Sequence, residues 1–323
     1  MCTRELMELV YGEDGAAFAP CGHDHSAATA VATEESDTKP GVGRRRMLTL
    51  AGALGATIAG VGAISATPAF ADTEAGKRSQ PDSVADALRR SRGSIQDLTY
   101  RWDVDFPVLK PYVLTPEIDH YATVGNQGFN ANKITIDEHT GTHMDGPSHL
   151  VDGAGVYTDQ ITVDKLVTTL VVIDISARAA TNADTTLQVD DVREYERRYG
   201  RIPTGSFVAL NTGWGSRIFT RPDLYTNRDT AGNPHFPGLG GEALQWLITN
   251  RGIFGAGTDT PSLDAGVNLP APEAHRALLG AMRYGVENIA NISTVPQAGS
   301  VVSVGVMKHA WGYGGPVRML AIS

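Results

Sequence analysis

Cysteine is almost missing from this chain: there are two in 323 residues, Cys2 and Cys21, and none beyond position 21. Everything downstream is therefore without a disulfide framework, a thiolate metal site or a cysteine nucleophile, and its fold must rest on an apolar core. Positive charge is also scarce. Lys and Arg number 27 against 36 Asp and Glu, a net −9, a balance that points away from nucleic acid and anionic membranes as partners. The Gly-x-Ser-x-Gly nucleophile elbow is absent, as is a glycine-rich phosphate loop behind a strand, so serine-hydrolase and nucleotide chemistry have no foothold.

The longest uncharged run lies near the start of the chain. Gly43-Arg44-Arg45-Arg46-Met47-Leu48 opens a stretch without charge that runs to Ala71, and Ala69-Phe70-Ala71 has the small-x-small form of a signal-peptidase site. Paired arginines ahead of a weakly apolar segment mark a twin-arginine export signal. The stretch is long enough to be a membrane anchor instead, but its Gly and Ala content and the cleavage-like motif favour a removable leader over residues 1–71. Five basic and eight acidic side chains lie in that leader, which leaves 22 against 28 beyond it, a net −6. The expectation is a secreted or extracytoplasmic protein with no membrane partner once the signal is cleaved. Cys21-Gly22-His23-Asp24-His25 has metal-ligand residue types, but in a polar leader accidental clustering is the plainer reading.

Residues 72–95 read as a polar lead-in with one short helix at 81–90. Residues 96–323 read as one α/β domain, richer in strand than in helix. Strands are expected at 133–137, 166–175, 206–210, 252–257 and 301–306, where β-branched or alternating runs are bounded by turns. Helices are expected at 189–199, 242–250 and 274–284, each closed by a glycine. No internal repeat stands out.

What the chain does have is histidine in one place. Three of its nine histidines fall in Asp137-Glu-His-Thr-Gly-Thr-His-Met-Asp-Gly-Pro-Ser-His149. His139, His143, Asp145 and His149 are separated by even spacings, so an extended backbone would project all four to one side. Thr140-Gly141-Thr142 and Gly146-Pro147 argue against a helix there. Two imidazoles and a carboxylate from one short segment make a three-ligand site for a divalent first-row metal, with a position left for water or substrate. Gly141 and Gly146 would let the backbone bend around the ion.

The run His139-Thr-Gly-Thr-His143-Met-Asp145-Gly-Pro147-Ser-His149 resembles the signature of the metal-dependent cyclase family, which includes bacterial kynurenine formamidases, isatin hydrolases and relatives grouped with polyketide cyclases. The likeness continues through Pro237-Gly238-Leu239, through Gly257 to Asp264 and through Gly315-Pro316-Val317-Arg318. The resemblance implies a swivelling β/β/α fold and assembly as a homodimer or homotetramer. It also implies a metal site of His139, His143 and Asp145, with Asp145 shared by a second ion held by His275 and Glu287, and His149 as the catalytic acid/base. One or two divalent ions per subunit follow, zinc or manganese. The formamidases carry a tryptophan against their aromatic substrate in a Pro-Val-Trp run; here Phe106-Pro107-Val108-Leu109 puts leucine in the substrate-binding position. Trp102, seven residues earlier, is either a substitute ring or a buried structural residue.

The function expected is an exported hydrolase that opens an amide, lactam or lactone of a small molecule with metal-bound hydroxide, His149 taking the proton of the water and returning it to the leaving atom. Two alternatives stay open: a metal-dependent polyketide-type cyclase or dehydratase, and a non-catalytic exported metal binder.

Overall fold

The computed structural model describes residues 83–91 and 93–323; the leader, its arginines, both cysteines and the His23–His25 cluster lie outside the described residues. Helix α1 (Val84–Arg90) is capped by Ser83, whose hydroxyl accepts from the Asp86 N–H at 3.2 Å. It falls within the polar lead-in, and it lies against the main sheet. None of the helices among the described residues is long and apolar enough to cross a membrane.

The main sheet holds eight strands: β1 (Ile95–Asp97), β4 (His143–Asp145), β5 (Val167–Asp174), β6 (Phe207–Asn211), β7 (Gly255–Thr258), β8 (Tyr284–Glu287), β9 (Ser300–Val306) and β10 (Gly314–Ile322). Their order is β1-β10-β4-β8-β7-β6-β5-β9, and β9 also pairs with β10, so the sheet closes on itself. Strands β5 to β8 run parallel, and β4, β9 and β10 join antiparallel. Parallel neighbours need crossover connections. These carry helices α2 (Val189–Tyr199), α3 (Gly241–Arg251) and α4 (Glu273–Gly280).

Burial on both faces explains the unbroken β-branched runs. Along β5, Val171 and Ile173 pack against Val192 and Tyr195 of α2 and Leu244 and Leu247 of α3, while Leu170 and Val172 join Phe207, Val302, Val304, Val317 and Met319 in a second cluster. Met144 of β4 and Val286 of β8 belong to that second cluster. Side chains alternate along a strand, so His143, Asp145 and Glu287 share the opposite face.

Several local expectations need correction. The helix expected at 274–284 ends at Gly280. Met282 turns back with φ +57, and Tyr284 starts β8 because its backbone pairs with Gly255 of β7. The alternating run near 133 forms β3 (Ala131–Thr135), which pairs only with β2 (Glu117–Ala122) in a separate ribbon. Strands β8 and β10 have no clear mark in the sequence, since their glycines and short apolar stretches acquire strand character only through their neighbours.

Candidate metal centre

The histidine segment is not one extended strand. Asp137 to Thr142 turns, with the Thr140 N–H bonded to the Asp137 carbonyl at 3.1 Å and Gly141 at φ +70. Only His143–Asp145 is β-strand, and Pro147 then starts a 3-10 turn that ends at His149. The even-spacing argument therefore fails as geometry, because the turn and the proline reset the side-chain direction. The heads still converge. Glycine is required twice here: a Cβ on Gly141 would stand 2.9 Å from Trp102 Cδ1, and one on Gly314 would stand 2.8 Å from His139 Cε1.

Asp145 is the hub. Its Oδ1 lies 2.7 Å from His139 Nδ1 and 3.4 Å from His143 Nε2, and its Oδ2 lies 3.5 Å from His275 Nε2. Glu287 faces both histidines, with Oε2 3.3 Å from His143 Nε2 and Oε1 3.3 Å from His275 Nε2. Register explains the first contact, since His143 pairs with Glu287 across β4 and β8. His275 comes in from helix α4.

These atoms are close, yet Asp145 Oδ1, Asp145 Oδ2 and His143 Nε2 are buried without a hydrogen-bond partner. Two carboxylates this deep, Asp145 at 0 % and Glu287 at 6 % exposed, are costly unless a cation answers them. Imidazole and carboxylate donors suit a divalent first-row ion, so the residues present fit a metal. His139, Asp145 and His149 each offer a ligand atom within 4.8 Å of the others, and so do His143, Asp145 and Glu287. His149 thus stands at ligand range as well as beside the ligands.

The electrostatics agree. Burial opposes the charged form of His143, but Asp145 and Glu287 outweigh it and push its pKa up to about 10. Burial likewise opposes charge on His275, and Asp145, Asp264 and Glu287 raise it well above the ordinary histidine range. Burial works against the Asp145 carboxylate, yet His143 and His139 hold it well below its usual value. The pocket favours positive charge, which a metal supplies as well as protons do. His149 differs: burial leads in lowering its pKa to about 4, reinforced by His139 and His275 against Asp145 and Glu287. At neutral pH its ring is uncharged and able to accept a proton. It packs 4.2 Å from the His139 ring and 6.0 Å from the His275 ring, centroid to centroid.

Partners outside the ligand set fix the ligands. His143 Nδ1 is 2.9 Å from the Gly141 carbonyl, which leaves Nε2 for the metal. Asp264 takes the Nδ1 of His275 at 2.6 Å and the N–H groups of Ala274 and His275 at 2.7 and 3.1 Å, so one carboxylate both caps α4 and aims the imidazole. The Leu263 N–H donates to Glu287 Oε1 at 2.8 Å. Glu138, beside His139, bonds His309 at 2.6 Å and the N–H groups of Tyr313 and Gly314 at 3.1 Å. No spacing rule links Asp264 to His275 or Glu138 to His309; the only signal was that Asp264 stands inside a run already resembling the family.

Of the two residues expected to meet substrate, Trp102 lies beside the ligand turn, against Gly141. Leu109 is 7 % exposed and packs with Phe106, Trp214, Ile218, Tyr225 and Phe236, with Trp102 at the edge of that cluster. It offers a substrate little surface.

Residues 96–265 match the family model described as "Putative cyclase". The isatin hydrolase of Roseibium aggregatum is 31% identical over 225 residues, covering 68% of this chain and 84% of its own. Among solved structures, isatin hydrolase A from Labrenzia aggregata, bound to benzyl benzoate, superposes with a TM-score of 0.67 at 36% identity, over 71% of this chain and 93% of that one. Isatin hydrolase A from Ralstonia solanacearum gives the same TM-score of 0.67 at 32% identity, over 74% and 95%.

Proposed function

This chain belongs to the cyclase family, and on that footing we propose that it is a divalent-metal-dependent hydrolase that opens the C–N bond of a small cyclic amide of the isatin type. The observation that carries the proposal is the set of Asp145 and Glu287, buried and facing His139, His143 and His275, with both Asp145 oxygens lacking any hydrogen-bond partner. The isatin hydrolases similar to this chain act on a ring amide, which is the source of the substrate class.

His139, His143, Asp145, His275 and Glu287 would hold the metal. When bound, a divalent ion there acidifies water and polarises the amide carbonyl. His149, neutral and beside His139 and His275, takes the proton of the attacking water and delivers it to the amide nitrogen as the C–N bond breaks. Burial of the cluster excludes bulk water and strengthens each of these interactions. Trp102 gives the substrate ring a flat neighbour.

Zinc or manganese is the proposed ion, on donor chemistry alone. Export by the twin-arginine route rests on Arg44-Arg45 and the uncharged stretch behind them, and homo-oligomer formation rests on the family resemblance. The test is direct: metal-loaded protein is given isatin, an N-formyl anilide and a simple lactone, and acid release is followed. Isatin opening that stops on chelation and returns with added metal supports the proposal. Silence on isatin at full metal occupancy removes it.

A further inference from the structure

We infer that Asn288 is a positioning residue for the metal centre, one that orients His143 by holding the same backbone carbonyl that His143 binds. The inference rests on the metal-dependent reading of the site. Asn288 directly follows Glu287 and is 6 % exposed. Its Nδ2 donates to the Gly141 carbonyl at 2.9 Å, and His143 Nδ1 lies 2.9 Å from that same oxygen. A carbonyl oxygen has two lone pairs, so it can accept both.

Gly141 sits in a turn and not in a strand ladder, with φ +70. Side chains therefore fix the direction of its carbonyl. That direction matters, because the hydrogen bond at Nδ1 sets both the tautomer and the ring plane of an imidazole that ligates through Nε2. Asn288 is itself held on all sides. Its Oδ1 accepts from the Tyr225 hydroxyl, its carbonyl accepts from Thr142 Oγ1 at 2.6 Å, and its N–H donates to the Thr260 carbonyl at 3.0 Å. Its backbone is left-handed, φ +55, a conformation that asparagine tolerates better than most residues with a Cβ.

One amide thus joins three parts of the chain: the turn that carries His139 and leads into His143 of β4, the end of β8 bearing Glu287, and Tyr225 in the helix Pro222–Thr226. Tyr225 is fully buried with Trp214 and Phe236. The apolar cluster beside the site is tied to the ligand geometry through its hydroxyl.

The experiment loads the whole protein with Co2+. Affinity is measured by competition with a chelator, together with the ligand-field absorption spectrum and the thermal unfolding of the metal-free form. Asn288→Gly keeps the left-handed backbone and removes the amide. It is expected to weaken Co2+ binding about 10- to 100-fold and to shift the ligand-field bands. Tyr225→Phe, which frees Asn288 Oδ1, is expected to shift the same bands in the same sense by less. Thr168→Val removes a buried hydrogen bond to the Gly205 carbonyl, away from the ligands, and is expected to change unfolding alone. Parental affinity and bands in Asn288→Gly, with only unfolding affected, overturn the inference. If that variant does not fold, Tyr225→Phe decides through the presence or absence of the band shift. Parental Co2+ affinity in His143→Ala would be a different failure, since it removes the metal-site reading underneath.

Discussion

Asp264 receives the Nδ1–H of His275 at 2.6 Å while accepting the Ala274 N–H at 2.7 Å, so the group that starts helix α4 is also the group that aims its histidine at Asp145 and Glu287. Helix geometry and ligand geometry are thereby coupled at one buried carboxylate.

Asp264→Asn keeps an acceptor for the helix N-terminus but sets an amide against the imidazole. Metal affinity is expected to fall about 10- to 100-fold, the usual cost of losing a partner that orients a ligating histidine. Chelator competition checks it. Unchanged affinity would show that α4 alone is enough to hold His275.

His143→Ala and Asp145→Ala each remove a proposed ligand and should yield protein purified without metal. His149→Ala should retain metal and lose about 10²- to 10⁴-fold in turnover, the range for general acid–base groups. Elemental analysis separates the two roles. Because His149 also lies within ligand range of His139 and Asp145, a metal-free His149→Ala would make it a ligand.

The pH profile follows from the burial that lowers the His149 pKa to about 4. A proton acceptor works in its unprotonated form, so its acid limb lies where the pKa lies, and a nearby bound cation moves it further down. The kcat/KM of metal-saturated protein should therefore hold well below pH 6, instead of falling around the value of about 6.5 for a free histidine. An acid limb near 6.5 that His149→Ala abolishes would contradict this.

By resemblance alone, Leu109→Trp would restore an aromatic platform and raise formamidase activity. Burial changes that expectation. Leu109 is packed among Phe106, Trp214, Tyr225 and Phe236, and a ring forced into that space should destabilise by about 1–3 kcal/mol without increasing turnover of N-formyl anilides. Trp102→Leu should instead weaken aromatic substrates about tenfold, the worth of one aromatic pair. Thermal unfolding and KM on matched aromatic and aliphatic amides test both changes. Gain of activity in Leu109→Trp would mean that the wall opens to the substrate.

The sequence by itself marked out His139, His143, Asp145 and His149 as a cluster of metal-ligand side-chain types, because those donors are close enough along the chain for composition to reveal them. It also determined α2, whose amphipathic pattern and closing glycine are local properties, α3 through its closing glycine, and the buried runs of β5 and β6. His275 and Glu287 were legible only through resemblance, since donors far apart in the chain carry no local pattern that joins them. Tertiary structure decided the rest. The antiparallel register of β4 on β8 sets Glu287 opposite His143, the cap of α4 joins Asp264 to His275, and closure of the sheet through β10 brings Gly314 against His139. Leu109 had the hydrophobic identity of a pocket residue and of a core residue alike, and only packing distinguished them. Sheet register and side-chain packing arise between segments distant in sequence, which is why no window of residues could disclose them.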